Sequence, residues 1–191
     1  DRLAKEGVRD ETAWATPICT PTRVTLLTGQ YPFRHGWTTH YDVPRQGGVG
    51  LRPDRFTTFA RVLRDNGYST VIGGKWQVNH LGKQPNVLKE HGFDEHCVWP
   101  GAEAGKPETE PRYWKGFLQA NGKRGTAAYG PYSINEYLIN FIQRHKDRPF
   151  LVYYPMLLAH DPHTLTPFNR EKKPEGKTAL YAGNVTYMDH L

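Results

Sequence analysis

The stretch Ile18-Cys19-Thr20-Pro21-Thr22-Arg23-Val24-Thr25-Leu26-Leu27-Thr28-Gly29 combines the signals of a short helix with reactive side chains. Thr20 is a good N-cap, and the proline after it fits the first helical position, where a missing N–H costs nothing. Gly29 can close the helix in the left-handed conformation. Cys19 is therefore expected at the mouth of the helix, where free N–H groups and the helix dipole favour anions. Arg23 lies one turn further on and carries a planar fork suited to a tetrahedral oxyanion.

Two helix–strand units follow this stretch along the chain. The apolar spacing over 57–66 predicts a helix that stops at Gly67, and the β-rich run 68–74 predicts a strand directly after it. The second unit begins with the capping box of residues 133–136, and its helix leads to the apolar run 150–154. That run is expected to be a central strand covered on both faces. Helix, glycine and strand in this order predict an α/β fold.

The segment between these units has weaker signals. Residues 85–132 are expected to be loops with a small hairpin, and Trp99, Tyr113 and Trp114 are expected in the local core rather than on a sugar-binding surface. The spacing from Ala179 onward predicts a last helix.

Composition narrows the function. The chain has 191 residues, of which 37% are hydrophobic, so one domain with a real core is possible. No apolar run has the length of a membrane span, and the polar N-terminal residues do not form a signal peptide. The net charge is +6, but Lys and Arg are scattered, which argues against nucleic acid and suits steering of a polyanion. Two cysteines make no disulfide framework, and no Cys/His spacing is typical of zinc.

The pentapeptide Cys19–Arg23 resembles the type I sulfatase signature Cys-x-Pro-Ser/Thr-Arg, and residues 26–32 and 34–36 are similar to the segment that follows it in that family. The resemblance implies that Cys19 is converted to formylglycine, which would also be a calcium ligand. It implies an alkaline-phosphatase-like α/β fold, with a largely parallel or mixed central sheet and helices on both faces. Residues 1–191 are expected to be the N-terminal part of a sulfatase catalytic domain, without its first strand and its C-terminal part, and so without the other calcium ligands.

Residues Gly74-Lys75-Trp76-Gln77 resemble the family's Gly-Lys-Trp-His element. Lys75 stands where the family lysine contacts formylglycine and sulfate. Gln77 replaces the family histidine; glutamine can donate a hydrogen bond to substrate but cannot carry a proton as imidazole does. His80 could take that place only if its loop folds back.

Residues 158–163 resemble the family's His-x-Pro element, with His160 in the histidine position and His163 as the local rival. The family histidine contacts the sulfate and can protonate the leaving oxygen. The resemblance therefore implies catalytic roles for Cys19, Arg23, Lys75 and His160, and substrate contacts by Lys75, Gln77 and His160.

The implied activity is hydrolysis of sulfate esters, with sulfated carbohydrates as the expected substrates, through a formylglycine hydrate made from Cys19. Ca²⁺ is the expected cofactor, and a formylglycine-generating or maturation enzyme is an expected partner. The family implies a periplasmic or extracellular location. Two alternatives stay open: a phosphate or phosphonate monoester hydrolase of the same superfamily, and an inactive remnant that lacks metal ligands.

Overall fold

The computed structural model describes residues 2–172 and 174–191. In that part of the chain one mixed sheet is formed by β1 (Ser69–Lys75), β2 (Glu95–Trp99), β3 (Trp114–Ala120), β4 (Lys123–Tyr129) and β5 (Phe150–Tyr153). The strand order is β4-β3-β2-β1-β5. β1 is parallel to both β2 and β5, whereas β3 is antiparallel to its two neighbours. The three parallel strands therefore end at the same edge of the sheet.

The helices are mostly short. They are α1 (Arg2–Glu6), α2 (Cys19–Thr28), α3 (Pro32–His35), α4 (Val43–Gln46), α5 (Phe59–Asp65), α6 (Val87–Glu90), α7 (Gly130–His145) and α8 (Lys177–His190), with a 3₁₀ turn at Pro107–Thr109. None of the helices in the described ranges is long and apolar enough to cross a membrane.

Two hydrophobic clusters cover the two faces of the sheet. Successive strand side chains point to opposite faces, so neighbours on β1 belong to different clusters. Ile72 packs with Val24 and Leu27 of α2, while Val71 packs with Ile134 and other residues of α7. Helices therefore lie on both faces of the sheet, as the predicted α/β fold requires.

The first helix–strand unit is confirmed with small shifts in its bounds. Thr58 caps α5, because its side chain accepts a hydrogen bond from the Arg61 N–H, and Gly67 follows the helix with φ +87°. The predicted hairpin is β3–β4, but β2 was not predicted. Trp99 and Tyr113 are buried, as expected of core residues.

The predicted capping box of residues 133–136 is wrong, because α7 already begins at Gly130. The helix start is fixed by a tertiary contact: the Gly130 N–H donates to the Tyr113 carbonyl at 2.8 Å. A Cβ on Gly130 would lie 2.2 Å from the Arg112 carbonyl oxygen, so only glycine fits there. The close approach of two backbone segments outweighs the local capping signal.

The strand predicted over 150–154 is present as β5, but its predicted central position in the sheet is wrong. β5 is an edge strand of the sheet in the described residues, and all its residues are half-buried. An apolar run alone does not distinguish a central strand from an edge strand packed by loops.

Candidate active site

Cys19 is the first residue of α2, at its N-terminal end, as the sequence predicts. The predicted capping is wrong: Ile18 is the N-cap, without a side-chain hydrogen bond, and Thr20 lies inside the first turn. Thr20 Oγ1 instead accepts the Tyr41 N–H at 2.9 Å, which joins the helix start to the loop before α4. Gly29 ends the helix with φ +65°, as predicted. The half-buried Cys19 opens into a cavity of about 540 Å³.

Lys75 brings the end of β1 to this cysteine. Its Nζ lies 3.7 Å from Cys19 Sγ, although the two residues are far apart in the chain. Burial, together with the neighbouring charges of Arg23 and Arg112, lowers the pKa of Lys75 to about 8, while Cys19 and Asp42 act in the opposite direction. The lysine is therefore a buried cation aimed at the cysteine.

Arg23 joins α2 to β1. Its Nη1 donates to the Lys75 carbonyl at 2.7 Å, so the arginine holds the strand end beside the helix N-terminus. Burial lowers the pKa of Arg23, and the charges of Tyr153 and Cys19 partly counter this effect. The arrangement favours an anion at the Cys19 position.

The loop that follows β5 contacts the end of β1 through its backbone. The Lys75 N–H donates to the Pro155 carbonyl at 2.9 Å. Gly74 has φ +117°, and a Cβ on it would lie 2.1 Å from that carbonyl oxygen. Tyr113 holds the other end of the loop, because its hydroxyl donates to the carbonyls of Leu157 and His160.

His160 is exposed and contacts Arg112, whose charge acts on Lys75. Its Nδ1 lies 3.1 Å from Arg112 Nη1 and 2.7 Å from the Asp161 carbonyl oxygen. Burial lowers the pKa of His160, and the charges of Lys75 and Arg112 lower it further. The rival His163 points elsewhere, since its Nε2 lies 3.3 Å from the Asp161 carboxylate.

Gln77 is buried and tied to an acid. Its Nε2 donates to Asp42 Oδ2 at 2.6 Å, and its backbone has a φ of +70°, which few non-glycine residues adopt. His80 does not replace it: the imidazole lies 3.9 Å from Glu103, a carboxylate that already pairs with Arg124.

Arg112 and Trp99 are site residues that the sequence motifs did not identify. The Arg112 guanidinium lies 4.4 Å from the Trp99 ring centroid, and Lys75 Nζ lies 5.9 Å from the same centroid. Trp99 is the last residue of β2, a strand that the sequence did not predict. Local sequence patterns therefore gave no signal that placed either residue at the site.

Cys19, as formylglycine, is the one calcium ligand expected in this chain, and that role stays a prediction. Within 2–172 and 174–191 no three His, Cys, Asp or Glu side chains lie close enough to share one ion. The charged groups that act on Lys75 beside Cys19 are Arg23, Arg112 and a single acid, Asp42. This set does not fit a calcium ion, which requires six to eight oxygen ligands.

The fold and the site thus define an α/β protein with a cluster of cationic side chains beside Cys19, at the carboxyl edge of its sheet. The family model described as Sulfatase matches residues 1–191. The chain therefore belongs to the sulfatase family. Its alkaline-phosphatase-like fold agrees with the crystal structure of Ps i-CgsB, which matches with a TM-score of 0.73 and 23% identity over 91% of this chain and 42% of that chain.

The curated relatives are longer proteins. The chain is 34% identical over 185 residues to N-acetylgalactosamine-6-sulfatase of Canis lupus familiaris, which covers 85% of this chain and 34% of the relative. It is 27% identical to arylsulfatase D of Homo sapiens, covering 100% of this chain and 44% of that protein. A structure of a protein in complex with its substrate D-glucosamine-2-N,6-O-disulfate matches with a TM-score of 0.62 and 25% identity over 92% of this chain and 33% of that one. The chain thus spans less than half the length of these relatives.

Proposed function

We propose that the protein hydrolyses sulfate esters at Cys19. The observation that carries this proposal is the contact of Lys75 Nζ with Cys19 Sγ at 3.7 Å, at the N-terminus of α2. A helix N-terminus and a buried ammonium both attract a tetrahedral anion. Membership of the sulfatase family supports sulfate as that anion.

Each of the predicted site residues has a separate role in this reaction. Lys75 neutralises charge that develops on the sulfate oxygens, and Arg23 holds the strand end that carries Lys75. His160 gives a proton to the departing oxygen through Nε2: the Arg112 guanidinium can only donate, so Nδ1 accepts from it and the proton of the neutral imidazole lies on Nε2. Gln77, held by Asp42, contacts substrate as a hydrogen-bond donor and carries no proton.

Formylglycine at position 19 would supply the nucleophilic oxygen and a means of releasing sulfate afterwards. Its formation requires a maturation enzyme as partner. Cys19 suits that modification because it is half-buried and opens into a cavity. The calcium ion typical of the family would need ligands beyond those described, so no step here depends on it.

We further propose a sulfated carbohydrate as substrate and a periplasmic or extracellular location. The substrate class is supported by relatives named as carbohydrate sulfatases, including N-acetylgalactosamine-6-sulfatase. The location is an expectation from the family alone.

The test combines a mass measurement with two substrates. The chain is produced with a formylglycine-generating enzyme, and intact mass shows whether the thiol of Cys19 has been replaced by an aldehyde. Hydrolysis of an aryl sulfate is then compared with that of the matching aryl phosphate, with Cys19→Ala as control. Faster phosphate turnover would favour a phosphate monoester hydrolase, whereas an unmodified thiol and no turnover would favour an inactive remnant.

A further inference from the structure

Arg112 is held on a rigid aromatic platform. Its guanidinium carbon lies 4.4 Å from the centroid of the Trp99 ring. Trp99 is 2% exposed, and its Nε1–H donates to the Thr109 carbonyl at 2.9 Å. A guanidinium stacked on a fixed indole loses little freedom when it binds, because its position is already set.

The guanidinium faces the proposed active site. Its Nη1 lies 3.1 Å from His160 Nδ1, and Lys75 Nζ approaches the same Trp99 ring at 5.9 Å. Burial lowers the pKa of Arg112, and the charges of Tyr113, Asp42 and Cys19 partly oppose this effect. Arg112 thus belongs to the same electrostatic cluster as Cys19, Lys75 and His160.

This cluster has an excess of positive charge. No ion pair among the residues of the described ranges includes Arg112, and Asp42 uses one carboxylate oxygen to accept from Gln77. Cations that are partly removed from water repel one another, and an anion placed between them would offset that repulsion. The geometry therefore favours an anionic ligand next to Arg112.

We propose that Arg112, together with Lys75, contacts the sulfate group of the substrate. This inference rests on the proposed sulfate-ester hydrolysis and adds a residue to its substrate site. Gln77 cannot offer a positive charge, so Arg112 supplies a second cationic contact beside the Trp99 ring that Lys75 also approaches. The planar fork of the guanidinium matches two oxygens of a tetrahedral anion.

Sulfate binding to the chain tests the proposal without requiring turnover. Isothermal titration with inorganic sulfate would compare the wild type with Arg112→Gln. A charge-assisted hydrogen bond of this kind corresponds to roughly tenfold to hundredfold weaker sulfate binding when it is lost. Arg170→Gln is the matched control, since Arg170 also stacks on a tryptophan, 4.8 Å from the Trp114 ring centroid, and takes no part in the site.

A second measurement needs no variant. Phenylglyoxal modifies exposed arginines, and sulfate should slow the modification of Arg112 but not that of Arg170, as read by mass spectrometry of peptides. Equal sulfate affinity in the wild type and Arg112→Gln, or modification of Arg112 that sulfate leaves unchanged, would overturn the proposal. No sulfate binding by the wild type would overturn it as well.

The outcomes separate this inference from the proposed function. Arg112-dependent sulfate binding without sulfatase turnover would support the contact and count against the activity. Turnover that Arg112→Gln leaves unchanged in both kcat and KM would support the activity and reject the contact.

Discussion

Replacing Lys75 by methionine should stabilise the fold while it removes the proposed function. Methionine is close to lysine in size and has no charge, so the buried site keeps its packing and no longer holds an ammonium. The pKa of Lys75 falls from its ordinary value of 10.5 to about 8 in the folded chain, first because of burial. At about 1.4 kcal/mol per pKa unit, the charged lysine costs the folded state roughly 3 kcal/mol near neutral pH.

The sign follows from proton binding. Between the folded pKa of about 8 and the unfolded value of 10.5, the unfolded chain binds the proton more tightly. Wild-type stability should therefore rise with pH in this window, and the cost is fully present below it. Lys75→Met should unfold at higher urea concentration than wild type near about pH 6, and its advantage should shrink by about 1 kcal/mol near about pH 9.

Urea unfolding at both pH values measures the stability, and the rate of aryl sulfate hydrolysis measures the function. Loss of an oxyanion contact of this type typically costs about a hundredfold or more in rate, so aryl sulfate turnover should fall by that order. Lys177→Met is a suitable control because Lys177 is exposed, with 77% of its side chain accessible. A Lys75→Met chain that is less stable than wild type near about pH 6 would refute the burial reasoning.

Further predictions concern reactivity, backbone fit and a buried pair. Iodoacetamide should label Cys19 and leave Cys97 unlabelled in the folded chain, because burial raises the pKa of Cys97 to about 12, and peptide mass spectrometry reads this directly. Gly74→Ala should cost about 3 kcal/mol or more in urea unfolding, whereas Gly125→Ala, with open space around its Cβ, should stay within about 0.5 kcal/mol; equal effects would contradict the close-contact argument. Gln77→Leu should cost about 3 kcal/mol, since it leaves the buried carboxylate that accepts from Gln77 without this donor; unchanged stability would reject that pairing.

Local sequence signals predicted most of the fold's elements but not their bounds. The α/β class follows from two helix–strand units, and α5 with its Thr58 cap lies close to the predicted range. The capping box before α7 failed because Gly130 approaches the Arg112 carbonyl, a contact between segments that no local pattern contains. The edge position of β5 likewise depends on which strands are neighbours in the sheet, and periodicity does not carry that information.

The site shows the same division between local and long-range information. Cys19, Arg23 and Lys75 were predicted from motif resemblance, and the structure places Lys75 against both other residues. Arg112 belongs to no motif, and its guanidinium lies at the site because it packs on the Trp99 ring. Residues of this kind become visible only when the contacts are known.

The substitution at position 77 and the arginine at position 112 have one physical explanation. A histidine at position 77 could take a charge and face the anion, but Gln77 is held by the buried Asp42 and stays neutral. A site that binds a sulfate ester still needs cations beyond Lys75, because one buried ammonium only partly neutralises the charge that develops on the sulfate oxygens. Arg112 supplies such a charge from a different strand connection, beside His160. Arg112 thus supplies the positive charge that a histidine at position 77 could carry. Gln77→His should therefore not restore sulfate binding to Arg112→Gln, and a recovered sulfate affinity in isothermal titration would contradict this explanation.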